Sequence, residues 1–264
     1  MKVSIITASY NSEATIKDTL ESVNKQSYSD IEHIIVDGGS KDTTLDTVKA
    51  VGKRVVTVIS EPDKGIFDAY NKGLKLVSGD IIGFLNSDDF YYSSDVLENV
   101  MREFDDPSVD AVYGDLYYVD KKNVNKVTRV WKSRAYKKGL FTKSFHPAHP
   151  TLFLRKSVYE KVGLFNLTYR FAGDYEFMLR AFHLFEIKPI YLPKVFVRMR
   201  NGGATGGSLM SIRKQNVENI RALKEHDVTY SKILFFGNKI IDRIRQKVDA
   251  NFIVFKKLND FPND

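Results

Sequence analysis

The 264-residue chain contains no cysteine. That excludes a disulfide framework, a thiolate zinc site, an iron–sulfur cluster and a cysteine nucleophile, and fits a reducing compartment. Any metal has to be held by oxygen or imidazole. There is no apolar run of about 18 residues, so the sequence offers no transmembrane helix. The opening MKVSIITASYNSE lacks the basic-then-apolar arrangement of a signal peptide, so structure is expected from the first residues onward. Glycine-rich phosphate loops are missing as well. The stretch after the first apolar run is Ala8-Ser9-Tyr10-Asn11, which argues against a dinucleotide-binding dehydrogenase and against a nucleotidyltransferase making sugar nucleotides. Internal repeats and low-complexity segments are also absent.

What is present, 43% hydrophobic and 28% charged residues, is the balance of an ordinary soluble globular protein, with room for one large domain and a small appendage. The net charge of +7 conceals a strong division. Residues 1–120 hold 11 basic and 22 acidic side chains, whereas residues 121–264 hold 29 and 11. An acidic half suits a hard cation; a basic half suits phosphate, nucleic acid or anionic lipid, or simply solubility.

Short apolar runs at residues 3–7, 33–37, 55–60 and 81–85 have the composition of strands buried on both faces. Between them, residues 12–25, 42–51 and 66–77 place apolar side chains at helical spacing, with Ser12 near the first N-cap and Gly79 ending the third helix. The order βαβαβαβ predicts a parallel, right-handed, doubly wound sheet. Beyond residue 110 the pattern becomes mixed. Residues 111–118 and 124–131 form an expected hairpin around Asp120, and residues 151–154 a further strand. Residues 188–199 suggest two short strands split at Leu192-Pro193, and residues 201–208 a glycine-rich loop. Helices are expected at 175–183, 211–226 and 233–248.

Ligands of such sheets bind beyond the carboxyl ends of the strands. The loops there read Ala8-Ser9-Tyr10-Asn11, Asp37-Gly38-Gly39-Ser40, Glu61-Pro62-Asp63-Lys64-Gly65 and Asn86-Ser87-Asp88-Asp89. Adjacent carboxylates repel unless a proton or cation separates them, and oxygen ligands at this spacing suit Mg²⁺ or Mn²⁺ carrying a diphosphate. Helix N-capping by Asp88 or Asp89 is the alternative. The acidic loops after strands two and three favour the metal.

The segments VSIITASYNSEATIKDTLESVNKQSYSDIEHIIVDGGSKDTT and SEPDKGIFDAYNKGLKLVSGDIIGFLNSDD resemble the glycosyltransferases of family 2. HPTLFLRKSVYEKVGLFN and FAGDYEFMLRAF resemble the acceptor-side half of the same enzymes, so the likeness runs over most of the chain. It implies an α/β GT-A fold, with a Rossmann-like, mostly parallel central sheet flanked by helices and a C-terminal helical extension. Residues 1–120 would bind the nucleotide sugar, 121–210 would form the acceptor side, and 211–264 the extension. The implied activity is inverting hexosyl or N-acetylhexosaminyl transfer from a nucleotide-diphosphate sugar, in particular a UDP-sugar.

By that resemblance Thr7, Ala8, Tyr10 and Asn11 hold base and ribose, and Asp37 bonds the base. Tyr10 could stack on a uracil and Asp37 could accept from its N3–H. Asp63 and Lys64 fall in the loop closing on the nucleotide sugar. The family's Asp-x-Asp metal signature here begins with Asn86; Asp88 keeps the ligand position for Mn²⁺ or Mg²⁺, and Asp89 assists. Asp174 corresponds to the aspartate of the Glu-Asp motif, with Gly173 in place of the glutamate, and is implied as the general base; capping of its helix is the alternative. His149 lies on the acceptor side, where it either contacts acceptor or diphosphate or is a structural histidine. Arg198 and Arg200 suit the leaving diphosphate. Trp131, the only tryptophan, could stack on an acceptor sugar or pack the hairpin.

Past residue 231 the resemblance ends. Ile233, Leu234, Phe235, Phe236, Ile240, Ile241 and Ile244 are interspersed with Lys232, Lys239, Arg243, Arg245 and Lys247. That composition suits an interfacial helix, or one packed on the domain or on a second subunit. Basic stretches at 121–143, nine against no acids, and at 188–224, eight against one, flank the acceptor-side elements. Family and basic surface together imply a polyprenyl-diphosphate-linked glycan acceptor, an anionic membrane, and a cytoplasmic enzyme peripheral to its inner face, serving surface-polysaccharide synthesis. Nucleic acid is not expected as a partner, although a basic nucleic-acid-binding protein, like an inactive glycan-binding relative, is a competing reading.

Overall fold

The computed structural model describes residues 1–202 and 209–259. Strands β1 (Val3–Ser9), β2 (Ile31–Asp37), β3 (Val55–Ser60) and β4 (Ile81–Phe84) alternate with helices α1 (Ile16–Asn24), α2 (Thr44–Val51) and α3 (Ile66–Leu74). The strands pair in parallel in the order β3-β2-β1-β4, as the alternation predicts. In β1, Ile5 enters one apolar layer and its neighbour Ile6 the layer on the opposite face of the sheet, the period-2 consequence of a strand covered on both sides. β3 departs from that pattern. It is the edge strand, covered on one face only, so Val56 and Val58 remain 61% and 46% exposed.

The second half comprises β5 (Phe90–Tyr91), α4 (Val96–Glu103), β6 (Ala111–Val119), β7 (Val127–Trp131), β8 (Phe153–Arg155), α5 (Lys156–Val162), α6 (Gly173–Met178), β9 (Pro189–Arg200), α7 (Leu209–Glu225) and α8 (Lys232–Asn259). It extends the sheet as β4-β8-β6-β9-β5, with β7 branching from β6. β8 runs antiparallel to both β4 and β6, while β9 is parallel to β6.

Several boundaries differ from expectation. Residues 12–15 form a turn before α1, because the Ser12 hydroxyl bonds Ser87 at 2.8 Å and no side chain caps the helix. Residues 189–200 form one strand; register shifts opposite Tyr113–Leu116 absorb Pro193, which removes the need for a break. α6 continues as a π-helical turn, Leu179–Leu184. α8 runs to Asn259, beyond the anticipated end. β5, α4 and α5 went unrecognised, although Val96, Leu97, Val100 and Met101 of α4 carry a helical period and are all buried. Residues 203–208 of the expected glycine-rich loop lie outside the described residues. Among the described residues no helix is long and apolar enough to cross a membrane.

Candidate active site

The carboxyl ends of β1, β2 and β3 bring three predicted loops together. Gly38 is where they touch: a Cβ there would lie 2.7 Å from Asp63 Oδ2 and 3.3 Å from the Tyr10 ring. The missing side chain therefore lets Tyr10 and Asp63 approach the same backbone. Tyr10 is 62% exposed, an open aromatic face. Asn11 adopts φ 47°, and its side-chain oxygen accepts the Lys41 N–H at 2.9 Å. Lys64 is exposed, and its backbone N–H donates to Asp68 at 3.0 Å.

Two residues assigned to base contact are otherwise engaged. Thr7 is buried; its hydroxyl donates to the Leu85 carbonyl at 2.7 Å and meets His33 Nε2 at 2.8 Å. Asp37 is also buried and receives the hydroxyls of Ser9 (3.1 Å), Ser40 (2.5 Å) and Ser60 (2.7 Å), with the backbone N–H groups of Gly39 and Ser40. Burial would raise its pKa, but these donors outweigh it and hold the carboxyl below its usual value. A base reaching Asp37 would have to displace one of those hydroxyls.

Two adjacent carboxylates, Asp88 and Asp89, follow β4, and Asp174 lies at the start of α6. Asp88, Asp89 and Asp174 all act electrostatically on Tyr70, whose buried phenol is pushed far above its ordinary pKa, chiefly by burial. Its hydroxyl donates to Asn86 Oδ1 at 2.5 Å. Asp89 is fully buried and accepts from Asn86 Nδ2 and from the Arg200 N–H, each at 3.3 Å. Burial, then the neighbouring Asp88 charge, pushes Asp89 well above the carboxylate range. Asp88 is half-buried and also raised by burial. Among the described residues no group of three or more His, Asp or Glu side chains could hold a metal alone. The donor set does fit a cation that brings further oxygens with it: Asp88 supplies a hard anionic ligand to which no side chain among the described residues donates, and a positive charge there would relieve the strain on both carboxylates.

Asp174 occupies the first turn of α6, with one carboxylate oxygen accepting the Tyr175 N–H at 2.8 Å. It is half-buried, and desolvation pushes its pKa up to about 6. A carboxyl with that value is a competent proton acceptor near neutral pH.

A family model for glycosyl transferase family 2 matches residues 4–163. The chain belongs to glycosyltransferase family 2. It is 31% identical over 185 residues to a PGL/p-HBAD biosynthesis glycosyltransferase of Mycobacterium bovis, covering 68% of this chain and 69% of the relative. An uncharacterized glycosyltransferase of Mycobacterium tuberculosis is 33% identical over 182 residues, with 68% of each chain covered. Among solved structures, S. aureus TarS 1–349 in complex with UDP superposes with a TM-score of 0.61 at 20% identity, over 84% of this chain and 64% of that one. The mannosyltransferase PcManGT of Pyrobaculum calidifontis, in complex with GDP-Man and Mn²⁺, gives 0.63 at 17% identity, over 94% and 73%. The fold is GT-A, and the protein is a glycosyltransferase.

The two departures from the family's motifs have local causes. Asn86 accepts from Tyr70 and donates to Asp89, a pairing that an ionised aspartate, which has no N–H to donate, could not make. Gly173 lies against Phe67, whose ring would sit 2.8 Å from a Cβ, so a glutamate side chain has no space. Recognition residues assigned to the acceptor side divide differently. His149 packs among Tyr70, Phe84 and Phe165 with ring centroids 5.1–5.6 Å apart, and burial lowers its pKa to about 3. It is a neutral core imidazole adjoining the site through Tyr70. Arg200 is buried and committed: it donates to the Asp88 carbonyl at 2.7 Å and pairs with Asp18, clamping the Asp88-Asp89 loop to α1. Arg198 lies over the Tyr92 ring at 4.8 Å, its Nε without a partner. Trp131 stacks on Tyr118 at 6.5 Å and meets His146 edge-on.

Sequence reasoning missed Glu218. From α7 it accepts the N–H groups of Arg170, Phe171 and Ala172 at 2.7–3.0 Å, fixing the loop that delivers Asp174. Glu176, also on α6, is buried and bonds Arg180 (2.8 Å) and His226 (2.9 Å), a second tie to the C-terminal helices. The Glu218 and His226 contacts span 46 to 50 positions and leave no local signal.

Proposed function

We propose that this glycosyltransferase moves a sugar from UDP-sugar to a hydroxyl of a polyprenyl-diphosphate-linked glycan, with inversion, at the inner face of the cytoplasmic membrane during surface-polysaccharide assembly. The observation that carries the reading is Asp174: a half-buried carboxyl, raised to about 6, that shares Tyr70 with the Asp88-Asp89 loop. The acceptor oxygen attacks the anomeric carbon while its proton passes to the Asp174 carboxylate. The bond from that carbon to the diphosphate oxygen breaks on the opposite face, and UDP departs with the electron pair. Tyr10 offers a stacking face for the base, with Ala8, Asn11, Asp63 and Lys64 bordering it. A Mn²⁺ or Mg²⁺ ion held by Asp88 would offset charge on the departing diphosphate. The UDP and UDP-GlcNAc complexes of TarS support this donor class.

The membrane assignment rests on α8. Ile233, Ile240, Ile241, Ile244 and Val248 share one helical face and are 47–85% exposed. Lys239, Asp242, Arg243 and Gln246 occupy the opposite face, toward β7. Phe235 and Ala250 anchor the helix to the domain, but an exposed apolar face of this breadth, flanked by exposed Arg245 and Lys247, suits an interfacial helix.

The decisive test is Asp174→Asn. It should retain Mn²⁺-dependent UDP binding by calorimetry and lose transfer by about 10²-fold or more, the usual contribution of a general base. Near-native turnover would remove Asp174 from the mechanism. UDP binding indifferent to EDTA and to Asp88→Ala would remove the metal.

A further inference from the structure

Between β7 and α8, bordered by Tyr118 and Trp131, lies a cavity of about 360 Å³. Three of its cations, Arg129, Lys239 and Arg243, form no ion pair among the described residues. Of the two acids in the lining, Asp242 is already shared by Arg134 (3.8 Å) and Arg245 (4.0 Å), and Asp249 is exposed. The cavity is also polar without being satisfied: Arg129 Nε, Ser133 Oγ, Asn219 Oδ1 and Gln246 Oε1 are buried and lack hydrogen-bond partners among the described residues.

Like charges so placed oppose one another. Burial and then the nearby Arg243 lower the Lys239 ammonium to about 8. Arg129 is likewise lowered, first by burial, with stacking on the Tyr118 ring at 3.7 Å as its main compensation. Arg129, Lys239 and Arg243 are half-buried, and a partly desolvated cation without a counter-ion is unfavourable, which a single nearby aspartate would relieve. Three cations retained around one space therefore indicate that the counter-ion arrives with a ligand.

Position narrows the ligand. Arg200, in the cavity wall, donates to the Asp88 carbonyl at 2.7 Å and through its backbone N–H to Asp89 at 3.3 Å, so the space adjoins the Asp88-Asp89 loop. The donor-side loops around Tyr10, Gly38 and Asp63 contribute nothing to its lining. Across α8, the same helix turns its apolar face outward. We propose that Arg129, Lys239 and Arg243 form a metal-independent site for the diphosphate of a lipid-linked acceptor, with α8 serving as the wall between the bound diphosphate and the membrane. The inference rests on the transferase reading above and identifies the acceptor's charged group.

The test uses the full chain in EDTA, with inorganic pyrophosphate and farnesyl diphosphate as probes. Both should bind, farnesyl diphosphate the more tightly, and Arg129→Gln/Arg243→Gln should weaken both by at least about tenfold. UDP affinity with Mn²⁺ present should stay within about twofold, below half a kcal/mol. Because two mutually repelling charges are removed, the variant should melt no lower than the native chain, and pyrophosphate should raise the melting temperature of the native chain alone. Arg129→Lys, which keeps the charge, should retain most of the binding. Absent binding, or binding unaffected by the double variant, overturns the site. Equal affinity for the two probes assigns it to soluble phosphate and overturns the lipid-linked acceptor. A native chain that binds the probes but neither binds UDP nor transfers sugar overturns the transferase reading and leaves the anion site standing.

Discussion

The role proposed for Asp174 and its contribution to folding oppose one another. Its folded pKa, about 6, lies above the ordinary 3.8. Between those values the folded chain holds a proton that the unfolded chain has lost, so this group's contribution to stability falls as pH rises through that window. Asp174→Asn should therefore raise the melting temperature at pH 7 by an amount equivalent to roughly 1–3 kcal/mol while abolishing transfer. Calorimetry at pH 7 and pH 4 checks the sign, since the gain should vanish at the lower pH. The Glu218 charge, the smallest of the causes, also raises Asp174. Glu218→Gln should move the acid limb of the rate profile to lower pH as well as reduce kcat by loosening residues 170–172; a reduction in kcat alone would make the role purely structural. Asn86→Asp exchanges the donor facing Asp89 for another carboxylate. The variant should bind Mn²⁺ more tightly and melt lower without it, which metal titration followed by thermal denaturation would reveal.

Among the elements, α8 carries the most information that composition alone left open. Residues 233–248 announce a helix with mixed apolar and basic character. Which face turns inward depends on β7, against which α8 packs through its charged side. Ile240→Lys/Ile244→Lys should weaken cosedimentation with anionic vesicles by about tenfold or more, from the lost apolar insertion, and leave UDP binding intact. Unchanged vesicle binding would favour a second subunit on that face. Elsewhere the legibility of elements followed their environment. β1 and β2, covered on both faces, were evident from apolar runs, whereas the two-residue β5 exists only because Phe90 pairs with Arg198, more than 100 positions away. β9 looked broken at Pro193 and is not, since a bulge opposite Gly114 accommodates it.

For the whole molecule, the charge division corresponds to two surfaces around one crevice. The acidic half supplies the Asp88-Asp89 loop, and the basic half supplies the cavity between β7 and α8. If the basic half faces an anionic membrane, vesicle binding should weaken steeply between about 0.1 and 0.5 M salt, as the screening length falls from about 10 Å toward 4 Å. Donor binding at the partly buried site proposed above should change far less over that range, which parallel sedimentation and calorimetry would separate.

The sequence by itself determined the parallel βαβ half, the loops that gather at its carboxyl edge, and the family, because each is written in local periodicity and contiguous motifs. Tyr10, Asp88 and Asp174 were nameable on that basis. Only the tertiary structure decided which of the named residues are free to act. Asp37, Thr7 and Arg200 are engaged with partners from other elements, and His149 is sealed among aromatic rings. The same holds for Arg129, Lys239 and Arg243, scattered over more than 100 positions and neutral in meaning until β7 and α8 enclose them without a counter-ion. Burial and electrostatic environment are set by neighbours in space, and for these residues most of those neighbours come from other elements, well separated along the sequence.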